Sequence, residues 1–172
     1  ASAVGMFAAL LISTPLAALG SPEAMCDRAA EAVAAETGVP LDVLRALART
    51  ETGRGAEGKM QPWPWNVRME GLVVWFDTEA QAQRFVFDRY RAGARSFDIG
   101  CFQINYRWHG HAFDSIEQMF EPMANARYAA GLLSDLFTEH ADWTQAVGAY
   151  HSRTREKAAR YLKRFENIYS TL

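Results

Sequence analysis

The chain has 172 residues, of which 49% are hydrophobic and 22% charged, a composition and length that suit one globular domain with a hydrophobic core. Its formal net charge is -2 at pH 7, so no overall positive charge favours a nucleic-acid partner. We therefore expect a single domain that does not bind nucleic acid. Aromatic residues are plentiful, with 5 Trp, 6 Tyr and 10 Phe, and several fall in predicted loops and short strands where they could contact a ligand.

The start of the chain differs in character from the rest. Met6–Leu19 is an almost unbroken run of small and apolar residues, and a Gly-Ser-Pro sequence follows it. This pattern is typical of the apolar core and small-residue exit of a secretory signal peptide, and the run is too short to span a bilayer comfortably. A hydrophobic helix packed on the domain is the alternative. We predict a signal-peptide remnant over residues 1–20, a domain over residues 21–172, and a periplasmic protein with no stable membrane insertion after export.

The cysteines and histidines are candidates for a disulfide and for metal ligands. Cys26 and Cys101 make an even count, which in an exported protein predicts one disulfide. Two buried free thiols are the alternative. Neither cysteine belongs to a Cys-x-x-Cys pair, and the sequence His109-Gly110-His111 has no third ligand nearby, so we expect no metal site.

Two neighbouring helices follow the apolar run. Ser21 and Pro22 are typical of a helix start, and the predicted helix continues through Ala24–Thr37 to a glycine stop. The next helix, Leu41–Gly53, carries an apolar stripe, and continuing its 3.6-residue period places Glu51 on the buried side just before the final glycine. Burial and the negative end of the helix dipole both favour a protonated carboxyl there. A glutamate that bends out to solvent is the alternative.

The segment after Glu51 predicts a β-hairpin beside that residue. Gln61–Arg68 and Leu72–Phe76 are β-prone runs around a glycine-containing turn. Two prolines in the first run favour an edge strand. Trp63 and Trp65 fall on the same face of that strand, as core residues or as the wall of a ligand site.

The rest of the chain predicts further helices and one undefined passage. Thr78 and Gln81 have capping-box spacing at the start of a helix, whereas residues 96–105 favour neither helix nor strand. Helices are also predicted through His140, from Trp143 to Tyr150, and from about Thr154, where the apolar stripe is clearest. The predicted fold is mainly α, a helical single domain with one small β-hairpin that flanks a cleft.

Four motifs then point to a family. Thr50-Glu51-Thr52-Gly53, Gly100-Cys101-Phe102-Gln103-Ile104-Asn105, Asn125–Ala130 and Gly148-Ala149-Tyr150-His151-Ser152 occur in this order. They resemble the Glu-Ser-Gly, Gly-Leu-Met-Gln-Ile-Asn, Asn-Ile-x-x-Gly and Ala-Ala-Tyr-Asn-Ala-Gly motifs of the lytic transglycosylases of the soluble-lytic-transglycosylase (SLT) type, which have a lysozyme-like α+β fold. The resemblance covers Cys26 to Tyr161. It departs from the family at Thr52, at Cys101-Phe102, at His151 and in the elaborated hairpin.

The resemblance implies a peptidoglycan lytic transglycosylase that needs no cofactor. Glu51 would be the catalytic acid that cleaves the bond between N-acetylmuramic acid and N-acetylglucosamine, and then the base that closes a 1,6-anhydro ring. Gln103 would bind the acetamido group or a sugar hydroxyl, and Tyr150 would hold Glu51 or the substrate. Thr52, Trp63, Trp65 and His151 are further substrate-binding candidates. Asn105 and Asn125 would be structural, fixing a turn and a helix start.

Two other functions remain compatible with these motifs. One is a muramidase of the same fold that activates water with a second carboxylate, for which the candidates are Glu70, Asp77 and Asp98. The other is a non-catalytic peptidoglycan-binding component of a trans-envelope assembly. The partners implied are peptidoglycan glycan strands and, by analogy with specialised enzymes of similar size, a flagellar or secretion-system protein.

Overall fold

A computed structural model describes residues 20–55 and 59–172 of the chain, so the predicted signal-peptide segment lies almost wholly outside the described residues. This part contains a four-stranded antiparallel sheet and helices with the bounds α1 Pro22–Thr37, α2 Leu41–Thr52, α3 Glu79–Arg91, α4 Tyr106–His109, α5 Ile116–Phe120, α6 Pro122–His140, α7 Trp143–His151 and α8 Arg155–Tyr169. A short 3-10 turn at Gly110–Ala112 joins α4 to α5. The prediction of a mainly helical lysozyme-like fold is confirmed. None of the described helices has the length and apolar character needed to cross a membrane.

The first two helices form as their sequence signals predict. Pro22 occupies the first turn of α1, and Gly38 ends the helix with a left-handed φ of 77° while its N–H donates to the Ala34 carbonyl. Glycine adopts this conformation without the steric cost that a side chain adds. The stripe of α2 is buried as expected, since Leu44 and Leu47 have no exposed surface.

The helical body is built from pairs of packed helices. Helix α1 packs on α6, α6 on α7, α7 on α8, and α8 in turn on α2. Buried apolar side chains fill the interior, among them Leu44 of α2, Leu133 of α6 and Phe165 of α8. Because α8 covers α2, the side chains of its buried face reach the end of α2, where Glu51 lies.

The sheet is larger than the predicted hairpin. Its strands are β1 Asn66–Met69, β2 Leu72–Trp75, β3 Phe97–Ile99 and β4 Ile104–Asn105, in the order β2-β1-β3-β4. The passage that predicted neither helix nor strand therefore supplies two strands. Each is only two or three residues long, which is too short for an alternating pattern to be visible in the sequence.

The prediction that the first strand lies at an edge is wrong. Strand β1 pairs with β2 on one side and with β3 on the other. Pro62 and Pro64 precede Asn66, the first residue of the strand, so the N–H groups that these prolines lack are not needed in the ladder. The hairpin turn itself is as expected, with φ values of 53° at Glu70 and 80° at Gly71, as in a type I′ turn.

A disulfide ties the helical body to the sheet. Cys26 of α1 is bonded to Cys101, which lies between β3 and β4, and both residues are fully buried. The predicted pairing is thus confirmed. The bond fixes the loop after β3 against α1, and this loop also carries Gln103.

Candidate active site

Glu51 lies at a cavity between the helical body and the sheet. The volume of the cavity is about 300 Å³, and its lining residues are Glu51, Arg68, Asp98, Gln103, Ile104, Asn105, Trp108, His109, Leu132, Tyr150 and His151. The residues come from α2, α4, α6, α7, the sheet and the β3–β4 loop. The predicted cleft beside the hairpin is therefore present.

The carboxyl of Glu51 has one hydrogen-bond partner among the described residues. Glu51 is in the last turn of α2, and its Oε1 accepts a hydrogen bond from the hydroxyl of Tyr161 on α8. The residue is only partly exposed. Its carboxyl is thus anchored at one oxygen, and the residue borders the cavity.

The surroundings of Glu51 favour its protonated form. Burial is the largest effect and raises the pKa of Glu51 from 4.5 to about 7, against the opposing effects of the Tyr161 hydrogen bond and the positive charge of Arg68. The carboxylate of Asp98 adds a smaller upward contribution to this pKa. Near neutral pH the group can therefore both donate and accept a proton, as an acid–base catalyst must.

The loop that presents Gln103 is held by a buried asparagine. The side chain of Asn125 accepts a hydrogen bond from the N–H of Phe102 and donates to the carbonyls of Ile99 and Met119, each at 2.9 Å. Gly100 has a φ of +85°, and a Cβ there would come within 2.6 Å of Nδ2 of Asn125. Asn125 is structural, as expected, but it fixes the loop that forms one wall of the cavity rather than a helix start.

Gln103 lines this wall of the cavity. Its φ of 50° is uncommon for a residue other than glycine, and such backbone positions often occur at functional sites. Its Nε2 donates to the carbonyls of Asn66 and Gly100, both at 3.1 Å. Its Oε1 accepts no hydrogen bond from the described part of the chain. The amide orientation is thus fixed, and Oε1 is a buried acceptor without a partner among the described residues.

Asn105 organises the adjoining turn. Its Oδ1 accepts from the N–H of Trp108 at the start of α4, at 3.3 Å, and its Nδ2 donates to Asp98 at 2.7 Å. The predicted structural role is confirmed here as well. Trp108 is 64% exposed, so an aromatic surface is available at the rim of the cavity.

Tyr150 and His151 line the cavity, but neither is hydrogen-bonded to Glu51. The hydroxyl of Tyr150 donates to the carbonyl of Phe102 at 2.7 Å, so the bond to Glu51 comes from Tyr161 instead. The ring of His151 stacks on that of Tyr161, with centroids 4.2 Å apart and planes 7° from parallel. Burial lowers the pKa of His151 and raises those of both tyrosines. These groups are therefore neutral near pH 7.

One of the candidate second carboxylates shares the cavity with Glu51. Asp98 lies on β3 directly opposite Arg68 of β1, and burial raises its pKa, opposed by the Asn105 hydrogen bond and the charge of Arg68. Glu70 is in the exposed hairpin turn, where it pairs with Arg89. Asp77 does not line the cavity.

Three predicted substrate-binding residues lie outside the cavity. Thr52 has no exposed surface, and its hydroxyl donates to the carbonyl of Ala48 and accepts from the N–H of Trp63. Trp63 donates through Nε1 to the Phe76 carbonyl at 2.7 Å and packs edge-on against Trp65. Neither Trp63 nor Trp65 lines the Glu51 cavity. Trp63 is buried and Trp65 packs against the core, as in the alternative that made them core residues.

Two residues of the site were not identified from the sequence. Tyr161 belonged to an apolar helix stripe and is 110 positions from Glu51, so no local signal connects the two. Arg68 was one residue of a predicted strand. Alternation within that strand could have placed its side chain on the face opposite to the one that carries the buried Val67 and Met69.

The family comparison agrees with the fold. The sequence model of the family described as Transglycosylase SLT domain matches residues 76–169, more than half of the chain. This segment includes Gln103, Tyr150 and Tyr161, whereas Glu51 and Arg68 precede it. No curated protein and no solved structure gives a significant match. The chain belongs to the transglycosylase SLT domain family.

Proposed function

We propose that this protein is a peptidoglycan lytic transglycosylase that cleaves the β-1,4 bond between N-acetylmuramic acid and N-acetylglucosamine and leaves 1,6-anhydro ends. The observation that carries the proposal is the state of Glu51, a half-enclosed carboxyl in the cavity whose pKa is raised to about 7. Family membership supports the substrate class, because SLT domains act on peptidoglycan. The assignment of Glu51 itself depends on its geometry and on the Thr50–Gly53 motif.

In the first step, protonated Glu51 donates its proton to the glycosidic oxygen while the bond from C1 of the muramic acid breaks. The acetamido group of the same sugar stabilises the positive charge that develops at C1. Gln103 lines the cavity, and we assign it to the binding of that acetamido group. Fixing this group in place gives the reaction the orientation that it needs.

In the second step, Glu51 acts as the base. Its carboxylate takes the proton of the C6 hydroxyl, whose oxygen bonds to C1 and closes the anhydro ring, so no water is consumed. The Tyr161 hydroxyl donates to Glu51 Oε1 and therefore stabilises the carboxylate formed in the first step. The Tyr150 hydroxyl is engaged with Phe102, and we assign this residue to the support of the cavity wall and to contact with the sugar through its ring.

We also propose that the protein acts in the periplasm. The apolar run Met6–Leu19 is typical of an export signal, and the disulfide between Cys26 and Cys101 suits an oxidising compartment. A flagellar or secretion-system protein remains the proposed partner.

The second candidate function is hydrolysis, favoured by the position of Asp98 in the same cavity as Glu51. Most glycosidases, whether they invert or retain the anomeric configuration, use two carboxyl groups. In this candidate, Asp98 would activate a water molecule after Glu51 has protonated the leaving group. Against it, Asp98 already accepts a hydrogen bond from Asn105 and faces Arg68.

Turnover of purified sacculi by two variants tests the proposal. Glu51→Gln should lose at least about 10²–10⁴-fold in rate, the usual contribution of general acid–base catalysis, while it still folds and binds glycan. Asp98→Asn, a neutral change in the same cavity, should retain far more activity. Equal losses in both variants would favour the hydrolase, and sacculus binding without any solubilisation by the wild type would indicate a non-catalytic binding protein.

A further inference from the structure

Arg68 is a cation placed inside the candidate active site by the alternation of β1. Its neighbours Val67 and Met69 are buried in the core, whereas the side chain of Arg68 is exposed and lines the cavity with Glu51. Successive residues of a strand point to opposite faces, so the strand that anchors the core also directs a guanidinium into the cavity.

This guanidinium has no carboxylate partner within the described residues. None of the ion pairs found there, with nitrogen and oxygen within 4.0 Å, includes Arg68. Asp98 lies directly across the sheet but is hydrogen-bonded to Asn105. By contrast, Arg49 is paired with Asp27 through two hydrogen bonds. Arg68 therefore has donors left over for a ligand.

We propose that Arg68 is a specificity-determining residue that binds a carboxylate of the glycan substrate within the Glu51 cavity. This inference rests on the proposed function. The planar donor pattern of a guanidinium matches a carboxylate, which it can bind through two parallel hydrogen bonds. In peptidoglycan, the 3-O-lactyl group of muramic acid carries a free carboxylate where the stem peptide has been removed. Where the peptide is present, the peptide itself carries carboxylates.

Carboxylate binding would also assist the acid. The charge of Arg68 lowers the pKa of Glu51, and a bound carboxylate would offset that charge. Substrate with the correct charge would then keep Glu51 protonated at the moment when its proton is needed. The other titratable groups that line the cavity are Asp98, His109 and His151. From α8, the charge of Lys157 acts on His151 and that of Arg164 acts on Glu51.

Three glycan preparations separate the sources of the carboxylate. The first is peptide-free glycan with free lactyl groups, the second is the same glycan after its carboxylates are coupled to methylamine, and the third is glycan with its stem peptides. Arg68→Gln should raise KM on a carboxylate-bearing glycan by about ten- to a hundredfold, the range expected for a hydrogen bond to a charged group. It should leave KM on the methylamidated glycan unchanged.

Arg164→Gln is the matched control, because Arg164 also lowers the pKa of Glu51 but is exposed on α8 and does not line the cavity. It should change KM equally little on all three glycans. A charge-dependent loss on peptide-free glycan identifies the lactyl carboxylate, and a loss confined to peptide-bearing glycan identifies the stem peptide. Equal losses on charged and methylamidated glycans, or no loss at all, would overturn the proposal.

Failure of the proposed function can be recognised separately. If the wild type releases no product, binding of the charged and the methylamidated glycan is measured by calorimetry on Glu51→Gln and on the Glu51→Gln/Arg68→Gln double variant. A preference for the charged glycan that disappears in the double variant supports the role of Arg68. The same affinity for both glycans contradicts it.

Discussion

Replacing Glu51 with Gln should stabilise the fold, and the gain should depend on pH. In the folded protein the pKa of Glu51 is raised from 4.5 to about 7, chiefly by burial. A carboxyl with a raised pKa binds its proton more tightly in the folded than in the unfolded state. The stability of the wild type therefore falls as pH rises through the window between these two values, and glutamine does not incur this loss.

The size of the effect follows from the same pKa. A shift of one pKa unit corresponds to about 1.4 kcal/mol, so the rise from 4.5 to about 7 gives a difference of about 3 kcal/mol in the free energy of unfolding above neutral pH. Well below pH 4.5 the Glu51 carboxyl is protonated in both the folded and the unfolded state. Its titration should then contribute nothing to the difference in the free energy of unfolding between the two proteins. The gain in stability would accompany a loss of catalysis, as is common when an active-site group is replaced.

Urea unfolding at a series of pH values, with the disulfide intact, measures this difference. The midpoints of the wild type and Glu51→Gln should separate progressively as pH rises from about 4 to about 8. Glu166→Gln, at an exposed position on α8, serves as the control for the loss of a carboxyl group. A Glu51→Gln difference that is constant with pH, or that grows as pH falls, would refute the view that Glu51 is held protonated by burial.

Three further variants test the supports of the site. Tyr161→Phe removes the hydroxyl that donates to Glu51 and lowers its pKa; kcat should fall by about tenfold or more, and the alkaline limb of the pH–rate profile should move to higher pH. The double variant Cys26→Ser/Cys101→Ser should lower the free energy of unfolding by about 3–5 kcal/mol, because the cross-link closes a long loop. Asn125→Ala removes three buried hydrogen bonds and should cost about 2–4 kcal/mol in chemical unfolding.

Each of these experiments has an outcome that would contradict the structure. Tyr169→Phe, at an exposed position on the same helix, should leave the pH profile unchanged. If it shifts the alkaline limb as much as Tyr161→Phe does, the hydrogen bond to Glu51 is not responsible. Identical unfolding midpoints with and without reductant would contradict the disulfide contribution, and a fully stable Asn125→Ala variant would exclude a supporting role for that amide.

The features that the sequence predicted correctly depend on local patterns. Helix α3 begins with the capping box of Thr78 and Gln81, whose reciprocal hydrogen bonds are 3.2 and 3.3 Å long. These two residues are only three positions apart in the sequence. The burial of Leu44 and Leu47 follows from a single 3.6-residue period. The disulfide required a longer argument, but two cysteines leave only one pairing within the chain.

The features that were missed depend on packing between distant segments. Which hydroxyl reaches Glu51 is decided by the way α8 lies on α2, and the sequence motif pointed to Tyr150 rather than Tyr161. The motif also placed Thr52 at the substrate, although its hydroxyl is used inside the protein. Similarly, β1 becomes a central strand only because β3 pairs with it, and β3 is too short to be recognised by alternation.

The central claim, that Glu51 is both acid and base in a reaction that consumes no water, is tested most directly by the products. Sacculi digested in ¹⁸O-labelled water can be analysed by mass spectrometry of the released muropeptides. Our account predicts unlabelled products with 1,6-anhydro-muramic acid ends, formed by the wild type and lost in Glu51→Gln. Products with reducing ends that carry the label would contradict it and would identify the enzyme as a hydrolase.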